Sequence, residues 1–184
     1  MKPPHGRKEI EEIFGNPATP AGKLSKVWKD SNIILAAPPA GWQLYYQDGS
    51  KLSPVKGISI HKLLVESFHE ALSQIWNYAK NKIGGTPNDD DIRKWIHGLC
   101  LDQTNGGFDF RPITGGTLLS LHAYGIAIDW DAEHNPRKKP LTKTLPDWWY
   151  RIWADLGWSN GCHFPTPDPM HVQYATGAFM LNEE

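Results

Sequence analysis

Cysteine is scarce in this chain: two thiols, Cys100 and Cys162, stand among 184 residues. They could close one bridge but make no disulfide framework, and two reduced thiols are the simpler expectation. Long apolar runs are missing as well, since no window approaches the roughly twenty residues that a membrane-spanning helix needs. The amino terminus passes from Met1 through Lys2, Pro3, Pro4 and His5 into polar residues, so no secretory signal is expected. Nor does charge of one sign dominate. A net charge of −1 argues against a nucleic-acid binder, which needs a basic face to neutralise phosphates.

Aromatic residues, by contrast, are abundant: nine Trp, six Tyr and six Phe, with five of the Trp between Trp130 and Trp158. A disordered chain would be depleted in them. With 40% hydrophobic and 21% charged residues, the balance is that of a globular domain. The length fits one domain, residues 1–184, and no repeat or linker divides it. Within it, residues 1–57 hold an amino-terminal helix and extended segments, and residues 58–184 hold the core.

Periodicity outlines the elements. Residues 7–14 place Ile10, Ile13 and Phe14 on one helical face, with Gly15 as a cap. Residues 33–37 and 42–46 read as short extended segments around Pro38 and Pro39. A core helix is expected over residues 60–83, where Leu64, Phe68, Leu72, Ile75, Trp76 and Ala79 recur at helical spacing before Gly84 and Gly85. Asp89, Asp90 and Asp91 suit the positive end of a short helix that buries Ile92, Trp95 and Ile96. Residues 108–111 alternate between two turn signals, and residues 125–130 read as a buried strand. Residues 133–140 read as a surface loop. A helix over residues 146–156 starts at Pro146, ends at Gly157 and turns Trp149, Ile152, Trp153 and Leu156 inward. A last strand is expected over residues 171–174. The fold class is therefore α+β, a single domain with a small antiparallel sheet flanked by helices.

Two fragments carry chemistry. The first runs Ser120-Leu121-His122-Ala123-Tyr124-Gly125-Ile126-Ala127-Ile128-Asp129, and the second Asp168-Pro169-Met170-His171-Val172-Gln173. His122, Asp129 and His171 make a nitrogen, oxygen, nitrogen set that suits zinc and leaves one tetrahedral position open, as catalytic sites do. Asp129 ends an apolar strand, where an unpaired carboxylate is costly; a metal or an Arg partner would each offset that cost. Asp168 stands close enough to His171 to serve as a proton acceptor without being a ligand. Taken singly, a His is most often a structural residue and Asp168-Pro169 is a turn signal, so spacing leaves the metal and its alternatives open.

Together the fragments resemble the zinc D-alanyl-D-alanine carboxypeptidase and L-alanyl-D-glutamate endopeptidase family, which includes VanY-like enzymes and many phage endolysins. That family shares its fold with the hedgehog signalling domain. The resemblance spans about residues 99 to 175 and includes an upstream segment from Gly106-Gly107 to Arg111. It implies that His122, Asp129 and His171 hold Zn2+ and that Asp168 is the general base. Arg111 would reach the scissile carbonyl oxygen or a substrate carboxylate, as its planar fork allows. Ser120, Trp158 and Gln173 are expected at the substrate, Trp158 as a groove wall. There the sequence departs from the family: Leu156-Gly157-Trp158-Ser159-Asn160-Gly161 breaks a Gly pair that relatives often carry. His163 and His134 are read as loop histidines, although His163 could be a fourth ligand or a donor.

The implied function is hydrolysis of peptidoglycan stem peptides, first as an L-alanyl-D-glutamate endopeptidase of the endolysin type. The alternatives are a D-alanyl-D-alanine carboxypeptidase and a non-catalytic, zinc-stabilised wall-binding module. A monomer made in the cytoplasm and released through a holin-type pore is expected, with neither nucleic acid nor membrane insertion among its partners.

Overall fold

The strands of this chain are short, and their partners lie far apart in sequence. In the computed structural model, which describes residues 1–177, eight strands form two sheets. The expected domain's remaining residues, 178–184, lie outside the described residues. β1 (Ile33–Ala36) pairs antiparallel with β4 (Ile58–His61) as a two-stranded unit. The larger sheet takes β2 (Leu44–Asp48), β3 (Lys51–Val55), β5 (Gln103–Gly106), β6 (Ala127–Trp130), β7 (Ser159–Gly161) and β8 (Asp168–Gln173). Their order is β3-β2-β5-β6-β8-β7. All neighbours in it are antiparallel except β2 and β5. The chain is thus α+β as expected, but its sheet is larger and includes one parallel pair. That pair is reached through the long helical excursion that a parallel connection requires.

Among the described residues five α-helices accompany the sheets: α1 (Gly6–Phe14), α2 (Lys26–Asn32), α3 (Val65–Ile83), α4 (Asp89–Gly98) and α5 (Asp147–Asp155). α1 buries Ile10 and Phe14 but leaves Ile13 partly exposed, so the inward stripe is narrower than expected. Gly15, with φ 74°, closes it by donating to Glu11 O at 3.0 Å. Asn88 caps α4 and forms a reciprocal pair with Asp91, so part of the acidic run serves the helix start. α2 is held by Ser25, whose hydroxyl accepts from Trp28 N.

The helix expected from residue 60 begins only at Val65. Ile58, Ser59, Ile60 and His61 form β4 instead, and a 3-10 turn, Lys62–Leu64, joins it to α3. Ile58 and Ile60 alternate with Ser59 and are buried against the core, so β-branched alternation and pairing with β1 outweigh the helical periodicity that follows. Residues 108–111 alternate in sequence but form no strand. Their backbone is held instead by Phe108 N to Ser59 O at 2.7 Å and Asp109 N to His122 O at 3.1 Å.

Alternation along β6 divides the molecule. Trp130 points into an aromatic cluster, 6.1 Å from the Trp149 ring and 5.9 Å from the Trp153 ring, both on α5. Trp158 and Tyr174 extend the cluster. Asp129, the preceding residue, faces the opposite side. The same core takes in Ala36 and Leu44 as well as residues 58–175, so the amino-terminal segment packs as part of one unit.

His61 is 1% exposed, edge-on to Phe14, with Nδ1 accepting from Leu63 N. Burial, aided by the Lys62 charge, pushes its pKa down to about 4. The native state therefore keeps the ring neutral while the unfolded chain protonates it near pH 6.5. Stability from this group is complete above pH 6.5 and declines as pH falls to about 4, by about 3 kcal/mol in all. Urea unfolding at pH 7, 5.5 and 4 should show that His61→Gln loses this part of the acid slope; an unchanged slope would refute it.

Candidate active site

His122 lies in a 3-10 turn, Leu121–Tyr124, between two fixed ends. Ser120 caps its start, its Oγ accepting from His122 N at 3.3 Å. Gly125 closes it with φ 68°, and a Cβ there would meet Ile33 Cδ1 at 2.6 Å and His61 N at 2.8 Å. Only glycine meets both demands. Asp129 and His171 are direct cross-strand partners in the β6–β8 pair. Register therefore brings a carboxylate and an imidazole side by side, and the turn brings the second imidazole over them.

The donor groups of the three residues converge, with both oxygens of Asp129 taking part. His122 Nε2 is 3.2 Å from His171 Nδ1 and 3.3 Å from Asp129 Oδ2, and His171 Nδ1 is 3.0 Å from Asp129 Oδ1. The outer nitrogens decide what faces inward. His122 Nδ1 lies 2.7 Å from the Gly107 carbonyl, which can only accept, so that nitrogen carries the proton. His171 Nε2 lies 3.0 Å from Gln173 Oε1, and Gln173 Nε2 donates to Ala175 O at 3.3 Å, which fixes the amide's orientation. In the neutral rings, both inner nitrogens therefore aim lone pairs at a carboxylate.

Three lone-pair donors facing one another repel unless a cation lies between them. A tetrahedral shell with bonds of about 2.0–2.2 Å spaces its donors about 3.3–3.6 Å apart, close to the separations here. The residues fit a metal ion. The electrostatics agree: burial would raise the Asp129 carboxyl, but His122 and His171 outweigh it and hold it well below the usual range. Burial likewise opposes charge on His171, yet Asp129 raises its affinity for a proton. The centre thus demands positive charge, and a metal would compete there with a proton.

Asp168 shares the cavity. Residues three apart on a regular strand face opposite sides, so Asp168 and His171 should diverge. The β7–β8 pairing shifts register between Asn160 and Gly161, and this irregularity brings both side chains to one cavity. Gly161 pairs with Asp168 so closely that a Cβ would meet Asp168 O at 2.3 Å. Asp168 Oδ1 is buried without a hydrogen-bond partner among the described residues, and Oδ2 lies 3.8 Å from Arg137 Nε. Burial raises this carboxyl above its ordinary value, and the Asp129 charge adds to the shift.

The cavity measures about 400 Å³ and is lined by Arg111, Ser120, Arg137, Phe164 and Gln173 beside the four residues above. Arg111 donates from Nε to Asp109 Oδ2 at 2.8 Å, and its side chain is 42% exposed. Gln173 lines the cavity, is 3% exposed and holds His171 Nε2 at 3.0 Å, so it orients that ring. Trp158 is not a groove wall. It is 2% exposed, donates to Ser67 Oγ at 2.8 Å and packs between Trp153 on α5 and Tyr174. Phe164 takes the wall position, 5.9 Å from the His171 ring.

His163 is exposed and outside the cavity lining. His134 joins Cys100 and Asp131 in a second cluster, but both oxygens of that carboxylate already accept hydrogen bonds. Gln47 and His134 donate to Oδ1, and Asn135 and Thr144 to Oδ2. That cluster anchors a loop. Cys100 and Cys162 are both free thiols. Sequence reasoning missed Arg137, which no motif marks, and it named Gly107 within the upstream segment without the role of its carbonyl in orienting His122.

Residues 114–174, about a third of the chain, match the family model described as D-alanyl-D-alanine carboxypeptidase. No curated protein and no solved structure gives a significant match. The matched segment contains the turn, both strands and all four converging side chains. The segment that carries the site is thus similar to the D-alanyl-D-alanine carboxypeptidase family of peptidases.

Proposed function

We propose that this chain is a zinc-dependent peptidase that hydrolyses an amide bond in peptidoglycan stem peptides. The observation that carries the reading is the convergence of three lone-pair donors at 3.0–3.3 Å, beside a fourth carboxylate with a buried, unpartnered oxygen. Zinc in such a site supplies Lewis acidity toward a carbonyl oxygen and lowers the pKa of water. Asp168, raised by burial, takes a proton from the attacking water and returns it to the leaving nitrogen. Arg111, with only Nε committed to Asp109, offers its other N–H groups to charge developing on the carbonyl oxygen. Ser120 Oγ accepts from His122 N and keeps its own proton to donate to the peptide.

The first reading of the bond is L-alanyl-D-glutamate, in a lysis enzyme of the endolysin type, from the motif's resemblance. The description of the matched family favours a second, the terminal D-alanyl-D-alanine bond. Mass spectrometry of digested muropeptides separates them: released stem peptides for the first, loss of terminal alanine for the second. A chelator should abolish either product. Zinc-loaded protein that yields neither would leave the wall-binding module.

Elemental analysis should find about one zinc per chain, and His122→Ala should lose it. Gln173→Leu should keep the metal with about 10- to 100-fold weaker affinity, because the His171 ring loses its orienting acceptor. Wild-type affinity in His122→Ala would refute the ligand set. Asp168→Ala should retain zinc yet lower turnover by roughly 10²–10⁴. Unchanged turnover would remove Asp168 from the proton path.

A further inference from the structure

A second guanidinium stands in the cavity, on a loop that is fastened at both its base and its tip. At the base, Asp131 is fully buried and accepts from Gln47, His134 and Asn135. Asn135, also fully buried, accepts in turn from Thr144 N and Leu145 N. At the tip, Lys138 N donates to Pro167 O at 3.0 Å, joining the loop to the residue before Asp168. Arg137 is thereby set beside Asp168, with Nε 3.8 Å from Oδ2. That separation is an ion pair but too long for a hydrogen bond. Among the described residues Arg137 makes no other ion pair and no side-chain hydrogen bond, whereas Arg111 has Nε committed to Asp109 at 2.8 Å.

The geometry has a chemical consequence. If Asp168 returns the proton to the leaving nitrogen, the leaving amino acid lies on the Asp168 side, next to Arg137. In both candidate bonds that amino acid carries a free carboxylate on the carbon bonded to its nitrogen. It is the α-carboxylate of γ-linked D-glutamate in one and the terminal carboxylate of D-alanine in the other. Such a carboxylate oxygen lies roughly 3 Å from the nitrogen, within reach of a guanidinium that already neighbours the proton donor. A planar fork with free N–H groups suits two-point recognition of it, and the long contact to Asp168 gives up little when it forms.

We propose that Arg137 is a specificity-determining residue that pairs with the free α-carboxylate of the leaving amino acid. The inference rests on the peptidase reading above, with Asp168 as the group that protonates the leaving amine. The cleft would then discriminate against peptides in which this carboxylate is amidated or extended by a further peptide bond. Arg111, on the wall that carries Ser120 and His122, is left to the carbonyl oxygen.

Two pairs of synthetic peptides test the proposal with zinc-loaded protein. One pair contains the L-alanyl-γ-D-glutamyl bond with the D-glutamate α-carboxyl free or as carboxamide. The other is an acyl-D-alanyl-D-alanine with its terminus free or amidated. Wild type should prefer the acid of one pair by roughly 10- to 100-fold in kcat/KM, chiefly through KM, and that pair identifies the source of the carboxylate. Arg137→Ala should bring the acid-to-amide ratio near one, and Arg137→Lys should restore part of it. A wild-type ratio in Arg137→Ala would overturn the proposal. So would an equal loss on acid and amide through kcat, which would make Arg137 a positioning residue for Asp168.

Calorimetry of the same peptides with wild type and Arg137→Ala reads the preference as affinity, independently of turnover. Absence of cleavage by wild type would defeat the peptidase reading. The carboxylate inference fails separately if wild type binds acid and amide alike.

Discussion

Two imidazoles and a carboxylate hold their lone pairs within 3.0–3.3 Å of one another, and that mutual repulsion is the constraint around which the fold is arranged. A neutral ring could relieve it by turning a proton inward. The Gly107 carbonyl and Gln173 Oε1 prevent this by holding the protons on the outer nitrogens. The Gly107 carbonyl is itself placed by close packing, since a Cβ at Gly107 would meet Ser59 O at 2.4 Å and the next residue donates to that same oxygen. β4, short and remote in sequence, thus fixes which nitrogen of His122 faces the centre.

Behind the centre lies the aromatic cluster. Trp130 follows Asp129 on β6, so every displacement of that strand must disturb Trp149 and Trp153 on α5. Close-packed interiors resist such motion, because even small gaps forfeit many contacts. The abundance of Trp between residues 130 and 158 therefore gives β6 a stiff backing rather than a surface for ligands. Trp158 illustrates the distinction. Its position in sequence suggests a groove wall, but its ring completes the cluster, and the wall falls to Phe164.

The positions that bear fixed chemistry are legible in sequence, and those that depend on pairing at a distance are not. His122, Gly125, Ala127 and Asp129 fall within one turn-and-strand unit, so they are legible as a motif, although spacing leaves the metal open and the resemblance to a family supplies the shared site. The helices at residues 65–83 and 147–155 announce themselves by periodicity. β4, β5 and β7 do not: Gln103–Gly106 and Ser159–Gly161 contain few strand-forming residues and owe their state to neighbours in the sheet. The convergence of Asp168 with His171 is likewise hidden, because regular alternation puts them on opposite faces and only the shift at Gly161 reunites them. Arg137 sits in a stretch of basic residues and prolines that reads as ordinary surface. Its place at the cavity follows from the buried Asp131–Asn135 anchor and from Pro167, partners that no local pattern reveals.

The charges of the cavity also explain how a nearly neutral protein could favour an acidic peptide. Asp129 and Asp168 are the anionic groups at its centre, and Arg111 and Arg137 are the cations at its walls. Asp109 offsets Arg111, so the walls alone do not make the cavity positive. A divalent cation among His122, Asp129 and His171 reverses that balance without any change in the surface charge of the molecule. Binding of an anion beside Asp168 and binding of the cation are then coupled, each raising the affinity for the other. An acidic ligand would thus be drawn to the site in its metal-loaded state.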